Sequence, residues 1–449
     1  MKFGTDGVRG VAHEELTTEF AARLARAASR VLAPVADRNG APVVLIGGDT
    51  RESTAAFADA LAAGFADEGV EVRHLGVVPT PLVAFEAQRL GVMGAMVSAS
   101  HNPWNDNGIK LFAPGGTKLA DDVEARIEVE LESPPAVDAS DERVGFVRST
   151  GRRNEHGEER YIEHVLSLLD GRSLDGMKVV LDVANGAATH VAPDALRRAG
   201  ADVVVVAADP DGRNINNGCG ATHPAFVAAA VLEHGADVGI ALDGDADRLI
   251  AVDHRGDVVD GDHVIAICAL DLRSRGLLVD DTVVVTVMTN LGFRLAMADA
   301  RIAVVTTGVG DRYVLEALDA GGLSLGGEQS GHVIFRERAT TGDGLLTALA
   351  LLDVVARSGR PLADIAHAAM TSLPQVLVNV RVARRVPDVT EQMAAEVAVI
   401  ESELGATGRV LLRASGTEPL IRVMVEAPTL EQARACADRL AEAARSRFA

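Results

Sequence analysis

The 449-residue chain reads as an α/β protein: three consecutive α/β modules followed by a smaller α+β module at the C-terminal end. Three observations predict this. Up to Pro374, short β-branched runs alternate with longer stretches of helical periodicity, the pattern of sheets covered by helices. Beyond Pro374 a strand, a helix, two strands and a last helix follow in close order. The length itself, at roughly 100 to 200 residues per domain, argues for two to four domains.

Each element follows from its pattern. Phe20, Leu24, Ala27 and Val31 recur at helical spacing within 17–32, and Val43 to Ile46 then reads as a buried strand. Ser53 is placed to cap a helix whose stripe is Phe57, Leu61 and Phe65, and strands follow at 70–75 and 92–97. The polar stretch 133–156, with Pro134 and Pro135, reads as an inter-domain passage. A second set contains strands 179–183, 203–206 and 238–242, with helices at 193–199 and 224–234. A third contains strands 283–287, 302–305 and 323–325 and a long helix near 344–356. The last module has strand 376–382, helix 389–404, strands 409–413 and 421–426, and helix 430–447. The expected domains are 1–153, 154–255, 256–371 and 372–449.

Composition narrows the function. Apolar residues make up 48% and charged residues 24%, ordinary for a globular chain and incompatible with wholesale disorder. The 43 basic against 64 acidic residues leave a charge of −21, which argues against nucleic acid, a partner that needs a basic face. No apolar run approaches the ~18 residues of a membrane span. The opening MKFGTDGVRG lacks the apolar core of a signal peptide, so a cytoplasmic protein without a membrane partner is expected. Cys219, Cys268 and Cys436 are far apart and form no CxxC pair, which speaks against a disulfide framework or a structural zinc.

Four segments carry chemistry, and all lie just beyond the carboxyl ends of predicted strands, where α/β sheets bind ligands. In Ser98-Ala-Ser-His-Asn-Pro-Trp-Asn-Asp-Asn-Gly-Ile-Lys110, hydroxyls stand beside an imidazole in a loop ending in lysine, which suits a phosphorylated or acylated nucleophile. On chemistry alone Ser98 and Ser100 are equivalent. Asp243-Gly-Asp-Ala-Asp-Arg248 presents alternating carboxylates that can converge on a hard cation such as Mg²⁺. An EF-hand is a poor fit, since Arg248 would stand where glycine is required and His254 where glutamate is required. A phosphatase-type nucleophilic aspartate is the better rival. In Gly326-Gly-Glu-Gln-Ser-Gly-His332, Glu328 and Ser330 are spaced to point the same way, as vicinal sugar hydroxyls require, with His332 an acid or base. In Arg413-Ala-Ser-Gly-Thr-Glu-Pro-Leu-Ile-Arg422, two arginines, Ser415, Thr417 and the backbone around Gly416 suit an anion cradle. Taken singly, each segment also reads as a polar turn.

Together, and in this order, they resemble the α-D-phosphohexomutases over essentially the full length of the chain. The opening Phe3-Gly-Thr-Asp-Gly-Val-Arg-Gly10, the Ser98–Lys110 segment and Gly327–His332 look most like the bacterial phosphoglucosamine mutase branch. The resemblance implies a phosphoserine at Ser100, which would also face a single Mg²⁺ held by Asp243, Asp245 and Asp247. It implies that Arg9 and Arg248 grip phosphoryl oxygens, and that Lys110, His101 and His332 serve as acids or bases, the lysine if its pKa is lowered. Glu328 and Ser330 would hold the sugar, and Arg413, Ser415, Gly416, Thr417 and Arg422 the non-reacting phosphate.

The implied reaction interconverts glucosamine 6-phosphate and glucosamine 1-phosphate through a 1,6-bisphosphate that also serves as activator, on the way to amino-sugar nucleotides and cell-wall precursors. A phosphoglucomutase or phosphomannomutase would share the mechanism. A Mg²⁺ phosphatase and a sugar-phosphate binding module are the alternatives outside the family, and a homo-oligomer is compatible with any of them.

Overall fold

The computed structural model describes residues 1–4, 6–32, 42–132, 155–414 and 419–448. Most of the expected passage at 133–156, and Ser415, Gly416 and Thr417, lie outside the described residues. The chain divides into two compact units, 1–288 with 302–369, and 289–301 with 370–449.

The first unit contains three sheets with one plan. In the first, Val43–Gly48 lies between Glu71–Val77 and Met93–Val97, parallel to both, and Asp106–Phe112 returns antiparallel beside Met93–Val97. Val8–Val11 then adds to the edge. In the second, Lys178–Asp182 lies between Asp202–Val206 and Val238–Leu242, parallel to both, Leu249–Asp253 returns antiparallel, and Val258–Val259 adds to the edge. The third repeats the plan with Thr282–Thr286, Ala303–Thr307, Leu325–Gly327 and the antiparallel Val333–Phe335. The central strands are buried on both faces, which is why VVLIG and VGIAL are continuous apolar runs and do not alternate. In every copy the turn from the third strand to the returning fourth carries one of the first three chemical segments.

Some local expectations are corrected. Ser53 does not cap its helix, Thr54–Asp67; its backbone is already helical and its hydroxyl accepts from Asn107 Nδ2 at 2.8 Å. The first chemical loop is shorter than read, because Asp106–Phe112 is a strand and Lys110 stands on it. The strand expected at 323–325 is Leu325–Gly327, shifted into the glycines that read as loop. The helix expected at 389–404 is broken at Met393, where ψ of 16° leaves the helical region, into Val389–Gln392 and Ala394–Leu404.

The second unit pairs Gln375–Arg381, Leu420–Glu426 and Arg409–Ala414 as an antiparallel sheet over a core of Val380, Ile421, Val423, Val425 and Leu440. Its long helix is Leu430–Phe448. The helix Leu291–Asp299 belongs to this unit too, with Leu291 N–H on Glu426 Oε2 at 2.9 Å. No helix among the described residues is long and apolar enough to cross a membrane.

Candidate active site

The serine loop leaves the buried strand Met93–Val97 and is locked from several sides. Ser98 Oγ donates to Asp49 Oδ2 at 2.7 Å and accepts the Ser100 N–H at 2.9 Å, so its hydroxyl is spent on structure. Ser100 Oγ instead reaches out of the module, donating to Asp243 Oδ2 at 2.6 Å, with His101 Nδ1 at 3.2 Å. The geometry thus separates two serines that chemistry leaves equivalent. Ser100 sits at φ 54°, a left-handed conformation that costs an L-residue ~1–3 kcal/mol and persists only where the surroundings impose it.

Those surroundings include residues the sequence reading missed. Arg51, fully buried and paired with Asp49 at 2.8 Å, donates to the carbonyls of Ser100, Asn102, Pro103 and Asp106. Asn216 Nδ2, from the second sheet's module, donates to the Ser100 carbonyl at 2.9 Å. Asp49 and Arg51 also lie beyond the end of a buried strand, Val43–Gly48, so the rule that located the other segments would have found them.

The candidate metal loop follows Val238–Leu242. Asp243, Asp245 and Asp247 are all buried, and each offers a carboxylate oxygen within 4.8 Å of the others. Asp245 Oδ1 and Asp247 Oδ1 are buried without a hydrogen-bond partner. Three converging hard oxygens with unused acceptor capacity fit Mg²⁺. Gly244 is required by close approach, since a Cβ there would stand 2.6 Å from the Ser100 carbonyl oxygen. Burial, then Asp247 and Asp245, raise the Asp243 carboxyl well above its ordinary range.

Lys110 Nζ lies 2.7 Å from Asp245 Oδ2, 2.9 Å from Asp247 Oδ2 and 2.8 Å from Asp6 Oδ2. Burial opposes its charge, but the three carboxylates outweigh burial and raise its pKa well above the ordinary lysine value. The lowered pKa on which a base role depends is therefore not what this arrangement gives; Lys110 is a buried cation with a proton to donate. His101 is the opposite case. Burial, then Arg248 and Arg9, push its pKa down to about 4, so the imidazole is neutral at physiological pH. Arg9 pairs with Asp6, and Arg248 Nε lies 3.7 Å from Asp247 Oδ1.

His332 is buried, with Nδ1 3.6 Å from Asp247 Oδ1 and Nε2 3.3 Å from Asp311 Oδ2. Burial lowers its pKa, but Asp311 and Asp247 more than offset this and leave it raised. The Gly342 N–H on Nε2 at 2.9 Å pulls the other way, toward a neutral ring protonated at Nδ1. Either way the Nδ1 proton faces Asp247, so His332 bears on the metal loop as well as on its own. Glu328 and Ser330 are half-buried: Glu328 Oε1 accepts the Gly310 N–H at 3.1 Å, and Oε2 has only a 3.5 Å contact with Ser330 Oγ. In the second unit Arg413 and Arg422 stand opposite each other on paired strands. Burial and the Arg422 charge lower the Arg413 pKa, as expected where two cations adjoin.

Three consecutive α/β sheets and an antiparallel C-terminal unit, with a serine facing a carboxylate triad, define the phosphohexomutase class. Models of phosphoglucomutase/phosphomannomutase α/β/α domains I, II and III match residues 1–136, 159–256 and 260–373, and the model of the C-terminal domain matches 377–443; the chain belongs to this family. It is 56% identical over 451 residues to a phosphoglucosamine mutase of Frankia casuarinae, covering 99% of this chain and 98% of the relative. It is 55% identical over 449 residues to a phosphoglucosamine mutase of Streptomyces avermitilis, with the same coverage. A solved structure of Aspergillus fumigatus N-acetylphosphoglucosamine mutase in complex with GlcNAc-6P and magnesium has the same fold, with a TM-score of 0.71 at 21% identity over 100% of this chain and 96% of that one.

Proposed function

We propose that the chain interconverts glucosamine 6-phosphate and glucosamine 1-phosphate through a phosphoserine at Ser100 and a glucosamine 1,6-bisphosphate intermediate. The observation that carries this is the contact of Ser100 Oγ with the metal loop, 2.6 Å from Asp243, in a chain 56% identical to a phosphoglucosamine mutase. Asp243, Asp245 and Asp247, with a Ser100 phosphoryl oxygen, would hold one Mg²⁺, which neutralises charge on the transferring group.

In the first half-reaction the free sugar hydroxyl attacks the phosphorus in line. The new O–P bond forms, the Ser100 Oγ–P bond breaks, the attacking hydroxyl gives up its proton and Ser100 Oγ gains one. His101, neutral and 3.2 Å from Ser100 Oγ, serves that oxygen and takes its proton when the serine attacks in the return transfer. Lys110, fully charged, supports the phosphoryl oxygens and donates to the departing Oγ; the proton of the attacking hydroxyl passes to His332 on the sugar side when its ring is neutral. Arg9 and Arg248 add positive charge around His101, where phosphoryl oxygens would be gripped. The bisphosphate then turns over and returns its other phosphate to Ser100. Glu328 and Ser330, with acceptor capacity left over, hold the sugar in both orientations. Arg413 and Arg422, with Ser415, Gly416 and Thr417, hold whichever phosphate is not reacting. Four functional parts at 1–153, 154–255, 256–371 and 372–449 go with this reading, as does a cytoplasmic location among charged metabolites.

The test is turnover of glucosamine, glucose and mannose 6-phosphates side by side, with Mg²⁺ and with chelator, on a preparation whose intact mass is measured. Glucosamine phosphate preferred by kcat/KM, loss in chelator, and one phosphoryl group on Ser100 are expected. Equal or better turnover of glucose or mannose phosphate would reassign the substrate, and phosphate on an aspartate would replace the mechanism by that of a phosphatase.

A further inference from the structure

Around the reacting groups runs a closed ring of alternating acidic and basic side chains to which nothing so far gives a purpose. Asp6 Oδ2 holds Lys110, which holds Asp247; Asp247 Oδ1 faces His332, and His332 faces Asp311. Lys118 closes the circuit, with Nζ 2.5 Å from Asp6 Oδ1 and in contact with Asp311 Oδ2. Its side chain is only 8% exposed, and it stands where the chain leaves the returning strand Asp106–Phe112. Asp6 and Lys118 belong to the first sheet's module, Asp247 to the second and Asp311 and His332 to the third. Lys118 touches neither Ser100 nor a residue of the carboxylate triad, yet it is paired with both carboxylates that restrain Lys110 and His332, the two basic groups facing that triad.

We propose that Lys118 is a positioning residue for phosphoryl transfer: clamped between Asp6 and Asp311, it sets how closely Lys110 and His332 press on the metal-site carboxylates. Without it Asp6 and Asp311 each lose a buried counter-charge and draw Lys110 and His332 toward themselves. Asp245 and Asp247 are then less neutralised, and the cluster is one charge more negative. A divalent cation binds more tightly there, while the phosphoryl group meets a misplaced lysine. Asp311 acts with the opposite sign, because its removal frees Lys118 for Asp6 and His332 for Asp247.

A second tie joins the same two modules outside the ring: Arg312 pairs with the exposed Asp121 and with Glu124 on the helix Asp121–Glu132, Glu124 also feeling the charges of Lys118 and Asp6. It supplies the control for a purely structural role.

The experiment measures Mn²⁺ affinity by electron paramagnetic resonance on the full-length, chelator-stripped protein, together with kcat and KM. Lys118→Met should tighten Mn²⁺ about three- to tenfold, and Asp311→Asn should weaken it by a similar factor. The double variant should return to within about twofold, because the two charges cancel. Both single variants should lose about ten- to a hundredfold in kcat with KM little changed, the scale of one buried charge-assisted hydrogen bond. Lys118→Arg should restore Mn²⁺ affinity to within about twofold. Asp121→Asn, at the exposed end of the second tie, should lower the melting temperature slightly and leave Mn²⁺ affinity and kcat within about twofold. Mn²⁺ affinity shifted in the same direction by Lys118→Met and Asp311→Asn, or not at all, would overturn the proposal, as would unchanged kcat in a folded Lys118→Met variant or a Mn²⁺ shift in the Asp121→Asn control. If Lys118→Met does not fold, Asp311→Asn and Lys118→Arg carry the same tests. The kcat arm rests on the mutase reading; should wild type fail to turn over sugar phosphates, that reading falls while the Mn²⁺ arms still decide this one.

Discussion

The serine loop and the sugar loop occupy the same topological place in two copies of one sheet plan, yet they are built to opposite standards. Ser98 and Ser100 are fully buried, the backbone at Ser100 is forced to φ 54°, and three carbonyls of the loop, with that of Asp106 at the start of the returning strand, are tied to Arg51. Glu328 and Ser330 are half-buried, and a 3.5 Å contact is the nearest thing to a bond between them. On the proposed function, the difference follows from what each loop would do. A transferring phosphorus must meet its partner in line, which demands a fixed atom. A sugar presented in two orientations must find acceptors that are not already committed.

The sharpest way to break this comparison is at the serines. Ser100→Ala should abolish turnover, by about four orders of magnitude or more, and remove the phosphoryl label, whereas Ser98→Ala should keep the label and lose about ten- to a hundredfold through the slackened loop. A label found on Ser98 in active Ser100→Ala protein would reverse the assignment. Next in size is Arg51→Met, which takes the cation from Asp49 and a donor from four backbone carbonyls. It should cost about a hundredfold in kcat, and several degrees in melting temperature because a buried ion pair is broken. If the loop is as rigid as argued, KM moves far less than kcat.

The adaptable loop should fail differently. Glu328→Gln should raise KM for both the 1- and 6-phosphates by about tenfold, since each orientation uses the same acceptor; an effect on one substrate alone would mean that the loop serves one orientation. Arg422→Ala removes one charged contact worth roughly 1.5–3 kcal/mol, so kcat/KM should fall by about one to two orders of magnitude in both directions, with more bisphosphate released into the medium. Loss in one direction only would make its segment a plain turn.

The smallest effect concerns His101. Burial and two arginines hold its pKa at about 4 against an ordinary 6.5, so between these values the unfolded chain takes up a proton that the native protein refuses. Native stability should therefore gain nothing from His101 above pH 6.5, decline modestly as pH falls from 6.5 toward 4, and stop declining from this source below 4. A ring resonance assigned by comparison with His101→Gln and followed by NMR in the dephosphorylated protein should titrate near pH 4. A midpoint above 6 would show that the arginines do not crowd it.

Much of this was legible in the chain itself. Alternating apolar runs and amphipathic stretches dictate the α/β class, because a strand buried on both faces has no polar positions to spare. The order of four segments beyond strand ends identifies the family, because the reacting oxygens, carboxylates and arginines are contiguous in sequence. What tertiary structure alone decided is which of these groups meet. Ser98 and Ser100 are equivalent hydroxyls until Asp49 claims one and Asp243 the other, across 49 and 143 residues of sequence. Lys110 and His101 are both bases on paper; three carboxylates, outweighing burial around the first, and burial with two guanidiniums around the second send their proton affinities in opposite directions. Propensity and periodicity act over a few residues, whereas a charge in a buried site answers to whatever lies within a few ångströms. Only the folding of three sheets on one plan brings those neighbours together.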